Sequence, residues 1–241
     1  MRKRHYIYPD IDSLIAAFTC EVEKFLGEVE ELERPAHIAL SGGPTPVAVY
    51  RILAGSTRVD DWKDVHFYWG DERMVPPGDK QSNFGNAWKY LFDPLGIPRE
   101  QVHRISGEEN PAKEAIRYGQ LLKDQLPLEN GLPVFDWIWL GLGEDGHTAS
   151  IFPNQLDLWN ANELCVVATH PVTGQKRVTI TGTVINASRR VTVLVNGKNK
   201  SPVVNAIVMK EGDYLNYPAF YINPGSGFLE WFMDQDATSW L

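Results

Sequence analysis

An acid and an imidazole two residues apart, Asp145 and His147, sit in the stretch Gly141-Leu142-Gly143-Glu144-Asp145-Gly146-His147-Thr148-Ala149-Ser150-Ile151-Phe152-Pro153. A histidine beside a carboxylate is suited to proton transfer near neutral pH. Three glycines force the backbone through a tight turn that side chains do not crowd. The apolar run over 135–140 just before it reads as a buried strand. Beyond the carboxyl end of such a strand is where open α/β sheets bind ligands. Other chemistries fit less well. Gly141-x-Gly143-x-x-Gly146 formally matches a dinucleotide fingerprint, but Pro153 leaves room for only about two helical turns after it. Glu163, the one residue to offer as a ribose acid, stands before an apolar run rather than at the end of one. No second histidine or cysteine lies at ligand spacing from Asp145-x-His147, so neither a metal nor another cofactor is expected. The plain alternative is a structural histidine in a glycine-rich turn.

Two earlier strand ends carry related signals. Residues 36–40 read as a strand running into Ser41-Gly42-Gly43-Pro44-Thr45-Pro46 and then a helix from 47, with Thr45 as N-cap and Pro46 at the first helical position. A glycine loop at a helix N-terminus offers free amides and a positive dipole end to an anion such as phosphate. Residues 65–69 form the next strand, followed by Gly70-Asp71-Glu72-Arg73. Three charged residues there read as a solvated loop unless they join the other two motifs at one sheet edge. A fourth strand, 191–195, ends in Asn196-Gly197-Lys198-Asn199-Lys200. Loops of this kind gather at one edge of a parallel sheet, where Arg73, Lys200 and Arg177 would face the anion-binding amides. An arginine offers phosphate a bidentate fork and a lysine a point charge.

The elements that position these residues follow from periodicity. Ile11, Leu14, Ile15, Phe18, Val22, Phe25, Leu26, Val29 and Leu32 mark one amphipathic helix, with Asp10, Asp12 or Ser13 as N-cap candidates and Pro35 beyond its end. Ser82-Asn83 caps a helix over 84–92, and a further helix covers 111–126. Strands are expected at 164–168 and 177–181, a short helical turn near 186, a helix at 202–209, and a tail mixing a strand at 219–222 with a closing helix. Strands alternate with helices throughout, which predicts one α/β domain over 1–241 with a mostly parallel sheet flanked by helices.

The 241 residues carry 23 basic and 31 acidic side chains, a net charge of −8, which argues against nucleic acid or anionic membrane as a partner. A hydrophobic fraction of 43% and a charged fraction of 22% are those of an ordinary globule. Two cysteines, Cys20 and Cys165, make no disulfide framework. No apolar segment follows Met1-Arg2-Lys3-Arg4, and no run reaches transmembrane length. A cytoplasmic protein, monomer or homodimer, is the expectation.

Taken together, Ser41-Gly42-Gly43-x-Thr45-Pro46, Asp71-Glu72-Arg73 with Asp79 and Ser82-Asn83, and above all the stretch 141–153 resemble the 6-phosphogluconolactonase family. Arg177-Val178-Thr179, Ile185-Asn186, Gly197-x-x-Lys200 and Trp231-x-x-Asp234 are similar to it too, so the resemblance covers nearly the whole chain. It implies the Rossmann-like fold of the glucosamine-6-phosphate deaminase and ribose-5-phosphate isomerase type. It also implies hydrolysis of 6-phosphoglucono-δ-lactone to 6-phosphogluconate, the second step of the oxidative pentose phosphate pathway. A lactone is an activated ester and needs no covalent nucleophile; no Gly-x-Ser-x-Gly elbow is present. His147 would be the general base, Asp145 would orient it or bind a substrate hydroxyl, and amides near Gly143 or Gly42 would stabilise the oxyanion. Ser41, Gly42, Gly43, Thr45, Arg73 and Lys200 would bind the phosphate, with Arg177 and Asp71 also in the substrate site. Two departures stand out: Pro44 removes a backbone N–H from the cradle, and Thr181-Gly182-Thr183 replaces a more apolar stretch. The alternatives are a glucosamine-6-phosphate deaminase, against which Arg73 and Ser150-Ile151-Phe152-Pro153 speak, and a sugar-phosphate sensor without turnover.

Overall fold

The computed structural model describes residues 2–29, 31–225 and 227–240. In chain order the elements are β1 (Arg2–Tyr8), α1 (Ile11–Val29), β2 (Ala36–Leu40), α2 (Pro44–Ser56), β3 (Val65–Trp69), β4 (Asp71–Arg73), α3 (Asn83–Ala87), α4 (Asp93–Leu95) and α5 (Pro111–Gln125). A small hairpin, β5 (Leu128–Glu129) and β6 (Leu132–Pro133), precedes β7 (Trp137–Gly141). Then come β8 (Cys165–Thr169), β9 (Lys176–Ile180), α6 (Gly182–Ala187), β10 (Arg190–Val195), α7 (Ser201–Met209) and β11 (Phe228–Asp234).

Six strands make a parallel sheet in the order β1-β11-β10-β7-β2-β3. Its inner strands are near-continuous apolar runs, as burial on both faces requires; every residue of β2 is buried. Trp137 and Trp139 of β7 point to one face, where the Phe18 ring of α1 meets both at 5.5 and 5.0 Å. Asp10 caps α1, its carboxylate accepting from the Ser13 N–H at 2.8 Å. The arrangement that matters for ligands lies at the centre. Neighbouring strands β2 and β7 send the chain in opposite directions, β2 outward to β3 and β7 to β10. That is a topological switch point, and a crevice opens beyond the carboxyl ends of these two strands.

Several elements differ from the sequence expectation. The tail ends in β11, not a helix, because residues 228–234 slot between β1 and β10 and complete both ladders. The expected strand at 219–222 is a 3-10 turn, Pro218–Tyr221, with its proline at the start. β1 has no counterpart in the sequence expectation: Lys3, Arg4 and His5 make it polar, and it is an edge strand, where charge discourages pairing with other chains. β8 and β9 leave the parallel sheet and form a separate antiparallel one with β4, in the order β4-β9-β8. Asp71-Glu72-Arg73 is therefore a strand rather than a free loop. The helix over 84–92 divides into α3 and a π-helical turn, Trp88–Phe92. Gly182 has a packing reason, since a Cβ there would lie 2.3 Å from the Trp159 ring. No helix among the described residues is long and apolar enough to cross a membrane.

Near the amino end of the β2–β3 pair three imidazoles meet. His37 lies opposite His66 in register, His66 Nδ1 is 2.8 Å from His103 Nε2, and Tyr68 stacks on His103 while its hydroxyl lies 3.2 Å from His37 Nδ1. Burial lowers His37 from 6.5 to about 4, against the pull of Asp136; burial and the charge of His66 bring His103 to about 4. As pH falls from 6.5 towards 4, the unfolded chain takes up protons that the fold refuses, so stability drops through that window. We expect urea unfolding to show a loss of roughly 1–2 kcal/mol between pH 7 and 4.5, less than the full shifts because these rings are only partly shielded. His103→Gln should flatten the slope; an unchanged slope would show that the cluster is not its source.

Candidate active site

The turn after β7 is built around one hydrogen bond and two glycines. Gly143 N–H donates to the His147 carbonyl at 2.8 Å and closes the loop so that the Asp145 carboxylate lies 2.5 Å from His147 Nδ1. The Asp145 carboxylate also accepts from the His147 backbone N–H at 3.2 Å. A side chain at position 143 has no room, since its Cβ would fall 2.1 Å from His147 Nδ1. Gly146 takes a φ of 82°, and a Cβ there would meet the Tyr217 ring at 2.5 Å. Thr148 anchors the far side, its hydroxyl donating to the Gly141 carbonyl at 3.0 Å. Burial works against the charge of Asp145, but the hydrogen bond and charge of His147 outweigh it and hold the carboxyl below its ordinary value. Because the carboxylate accepts at Nδ1, the neutral ring keeps its proton there and presents Nε2 as a base.

The opposite wall rests on Glu72, which is 1% exposed. Its carboxylate accepts from the N–H groups of Arg73, Asn83 and Phe84, each at 2.8 Å, and from the Ser82 hydroxyl at 3.2 Å. Ser82 caps α3 as expected, receiving the Gly85 N–H at 3.0 Å. Burial pushes Glu72 up to about 7, while the three backbone donors favour the charged form. Asn83, fixed in this way, presses against the first glycine loop; a Cβ at Gly42 would overlap its side-chain oxygen. Arg73 leaves this wall pointing outward, one end held by the Gln81 carbonyl at 2.8 Å.

The α2 loop differs in detail from the expectation. Gly43, not Thr45, occupies the N-cap position, with a φ of 105°, and Pro44 is the first helical residue. Thr45 turns aside to donate its hydroxyl to Asn196 at 2.8 Å, tying the β2 loop to the β10 loop. Pro44 and Pro46 have no N–H, and Val47 donates to the Gly43 carbonyl, so the amides without a partner among the described residues are those of Gly42, Gly43 and Thr45.

Ser41, Gly42, Asp71, Arg73, Gly143, His147, Arg177 and Lys200 line one cavity of about 300 Å³, together with Pro44, Gly141, Leu142 and Ala149. The five motif regions thus converge beyond the β2–β7 switch point. Of the other expected residues, Asp145 stands behind His147 and Thr45 borders a smaller adjoining cavity with Lys200 and Asn196. Gly43 supplies the bend from β2 into α2. Asp71 is buried; its carboxylate accepts the Ser150 hydroxyl at 2.5 Å and lies 3.9 Å from Arg177. Ser150 and Phe152 stand in the stretch that carries the family resemblance, but neither is assigned a place in the site from the sequence. That place follows only once Asp71, 79 residues away in the chain, is seen opposite Ser150. The Phe152 ring faces His147 at 4.7 Å and the Arg177 guanidinium at 5.6 Å. Burial lowers Lys200 from its ordinary value, with Glu144 and Asp145 pulling the other way. An ammonium in that position gains from a bound anion.

The chain matches, over residues 9–231, the family described as Glucosamine-6-phosphate isomerases/6-phosphogluconolactonase. It is 44% identical over 213 residues to the 6-phosphogluconolactonase of Haemophilus influenzae, covering 88% of this chain and 90% of that one. The crystal structure of a devB protein resembles it with a TM-score of 0.91 at 41% identity, covering 99% of each chain. The 6-phosphogluconolactonase of Trypanosoma brucei has a TM-score of 0.88 at 28% identity, covering 100% of this chain and 99% of that one.

Glu72→Gln tests the wall that carries Arg73. The amide turns an N–H₂ towards donors that need an acceptor, leaving buried groups unpaired. A loss of about 2–4 kcal/mol in urea unfolding, followed by tryptophan fluorescence, is expected. A variant as stable as the parent would mean that the carboxylate is not what holds this wall.

Proposed function

The chain belongs to the glucosamine-6-phosphate isomerase/6-phosphogluconolactonase family, and we propose that it hydrolyses 6-phosphoglucono-1,5-lactone to 6-phosphogluconate, the second step of the oxidative pentose phosphate pathway. The observation that carries this reading is His147, oriented by Asp145 at 2.5 Å and facing a cavity that also holds Arg73, Arg177 and Lys200. Such a site offers a base at one place and a seat for an anion at another. A phosphorylated lactone needs both.

In this mechanism Nε2 of His147 takes a proton from water as the water oxygen attacks the lactone carbonyl carbon. The tetrahedral intermediate collapses with cleavage of the bond from that carbon to the ring oxygen, and the imidazolium returns the proton to the departing oxygen. Asp145 holds the ring in the required tautomer and stabilises the imidazolium. The Gly143 N–H is already committed to the His147 carbonyl, so it is not an oxyanion donor, and its glycine serves instead to let the imidazole approach. The open amide of Gly42 is the group left to receive the negative charge of the oxyanion. Lys200, Arg73 and the open amides of the α2 loop hold the phosphate, with Arg177 bordering the same cavity.

A coupled assay on freshly generated lactone, corrected for spontaneous hydrolysis, tests the reaction and the roles together. His147→Ala is expected to lower kcat by about 10²–10⁴-fold with little change in KM. Gly143→Ala should fall in the same direction, because the added methyl displaces the imidazole from Asp145. Lys200→Ala should act mainly on KM. A His147→Ala enzyme with unchanged kcat would remove the base from the mechanism. Glucosamine 6-phosphate serves as the contrast, and ammonia release from it would turn the reading towards a deaminase.

A further inference from the structure

Beyond Arg177 the site continues. Arg177 is 9% exposed and borders both the cavity described above and a second one of about 410 Å³, whose other walls are Gln81, His170, Thr173 and Gln175. Its nearest charge partner, Asp71, is 3.9 Å away, and its Nε, buried, has no acceptor among the described residues. An anion held by Arg177 would therefore sit where the two cavities join. The annex is lined mainly by donors and neutral polar groups, and no carboxylate among the described residues borders it.

His170 is the distinctive group there. It lies in the turn between β8 and β9, and its Nδ1 accepts two backbone N–H groups, those of Val172 and Thr173, each at 3.2 Å. A nitrogen that accepts carries no proton, so the neutral ring bears its proton on Nε2. No protein acceptor for that Nε2–H exists among the described residues. One edge of the ring is pinned to its own loop, and the ring meets that of Phe152 in a T-shaped contact at 5.3 Å, the same ring that packs against His147 and Arg177. The imidazole is thus a fixed donor at the border of the annex.

We propose that His170 is a substrate-binding residue, donating from Nε2 to the phosphate held by Arg177. The inference rests on the lactonase reading of the first cavity, but its test does not depend on turnover. His170→Asn is the informative variant. Its side-chain oxygen can accept the Val172 and Thr173 N–H groups as an Asx turn does, so the loop keeps its shape while the outward donor is lost. His170→Ala removes both functions.

Binding of inorganic phosphate would be measured by calorimetry, and steady-state kinetics run on the phosphorylated lactone and on glucono-1,5-lactone, which lacks the phosphate. Loss of a hydrogen bond to a charged group predicts, for His170→Asn, about tenfold weaker binding of inorganic phosphate and about tenfold higher KM for the phosphorylated substrate. Its kcat should stay within about twofold, and its hydrolysis of the unphosphorylated lactone should be unchanged. A His170→Asn protein that binds phosphate as the parent does, with only His170→Ala impaired, would make His170 a loop anchor and overturn the proposal. So would a parent protein that binds no phosphate. A parent that binds phosphate in a His170-dependent manner but leaves the lactone untouched would overturn the activity reading and support this one.

Discussion

The structure of the site depends on a carboxylate in a place where water does not reach. Glu72 accepts four hydrogen bonds while 1% exposed, and each donor belongs to a segment that must be held. Two are the first amides of α3, one is the amide of Arg73, and the fourth is the cap of α3. A buried charge without partners costs far more than a hydrogen bond returns, so the segments have little freedom to separate. Arg73 leaves for the cavity from this point, and Asn83 is pressed against Gly42. The two loops that face the anion are set by one side chain that does not itself border the cavity.

The facing wall follows another logic. Its acid–imidazole pair is local, made within one turn by glycines that a Cβ would disrupt. Local geometry fixes Asp145 against His147, but not the pair against the cations. Phe152 makes that connection. Its fully buried ring meets His147, His170 and the Arg177 guanidinium, so the imidazoles and the cation share one rigid support. The His147 imidazole and the Arg177 guanidinium are thereby held at a set separation.

Both walls are hung on the sheet at its switch point. Strands β2 and β7 are neighbours whose following connections diverge, which leaves an opening at their carboxyl ends. The antiparallel trio β4-β9-β8 then brings Asp71, Arg73 and Arg177 to one side of that opening. Arg73 and Arg177 are opposite each other in register and line the same cavity, an arrangement that an anion relieves. Across the cavity Lys200, reached from β10, faces the same space.

Much of this was legible in the chain. Apolar runs of strand length, each followed by glycines or charges, marked β2, β3, β7 and β10, because a strand buried on both faces leaves a continuous apolar signature. The acid–imidazole spacing of Asp145 and His147 was equally plain, since a turn of this kind is a local event. What could not be read were the partners that meet only when distant segments fold together. β1 offers no apolar run to read, yet an edge strand needs only one ladder, and residue 2 finds it at residue 228. β11 looked like the start of a helix, and only its place between β1 and β10 makes it extended. Thr45 resembled a cap because its own neighbours allow it; Asn196, from another loop, claims its hydroxyl instead. Ser150 and Asp71, Phe152 and His170, Glu72 and Asn83 are pairs of the same kind. Periodicity reports which face of an element is buried, and tertiary structure alone decides what it is buried against.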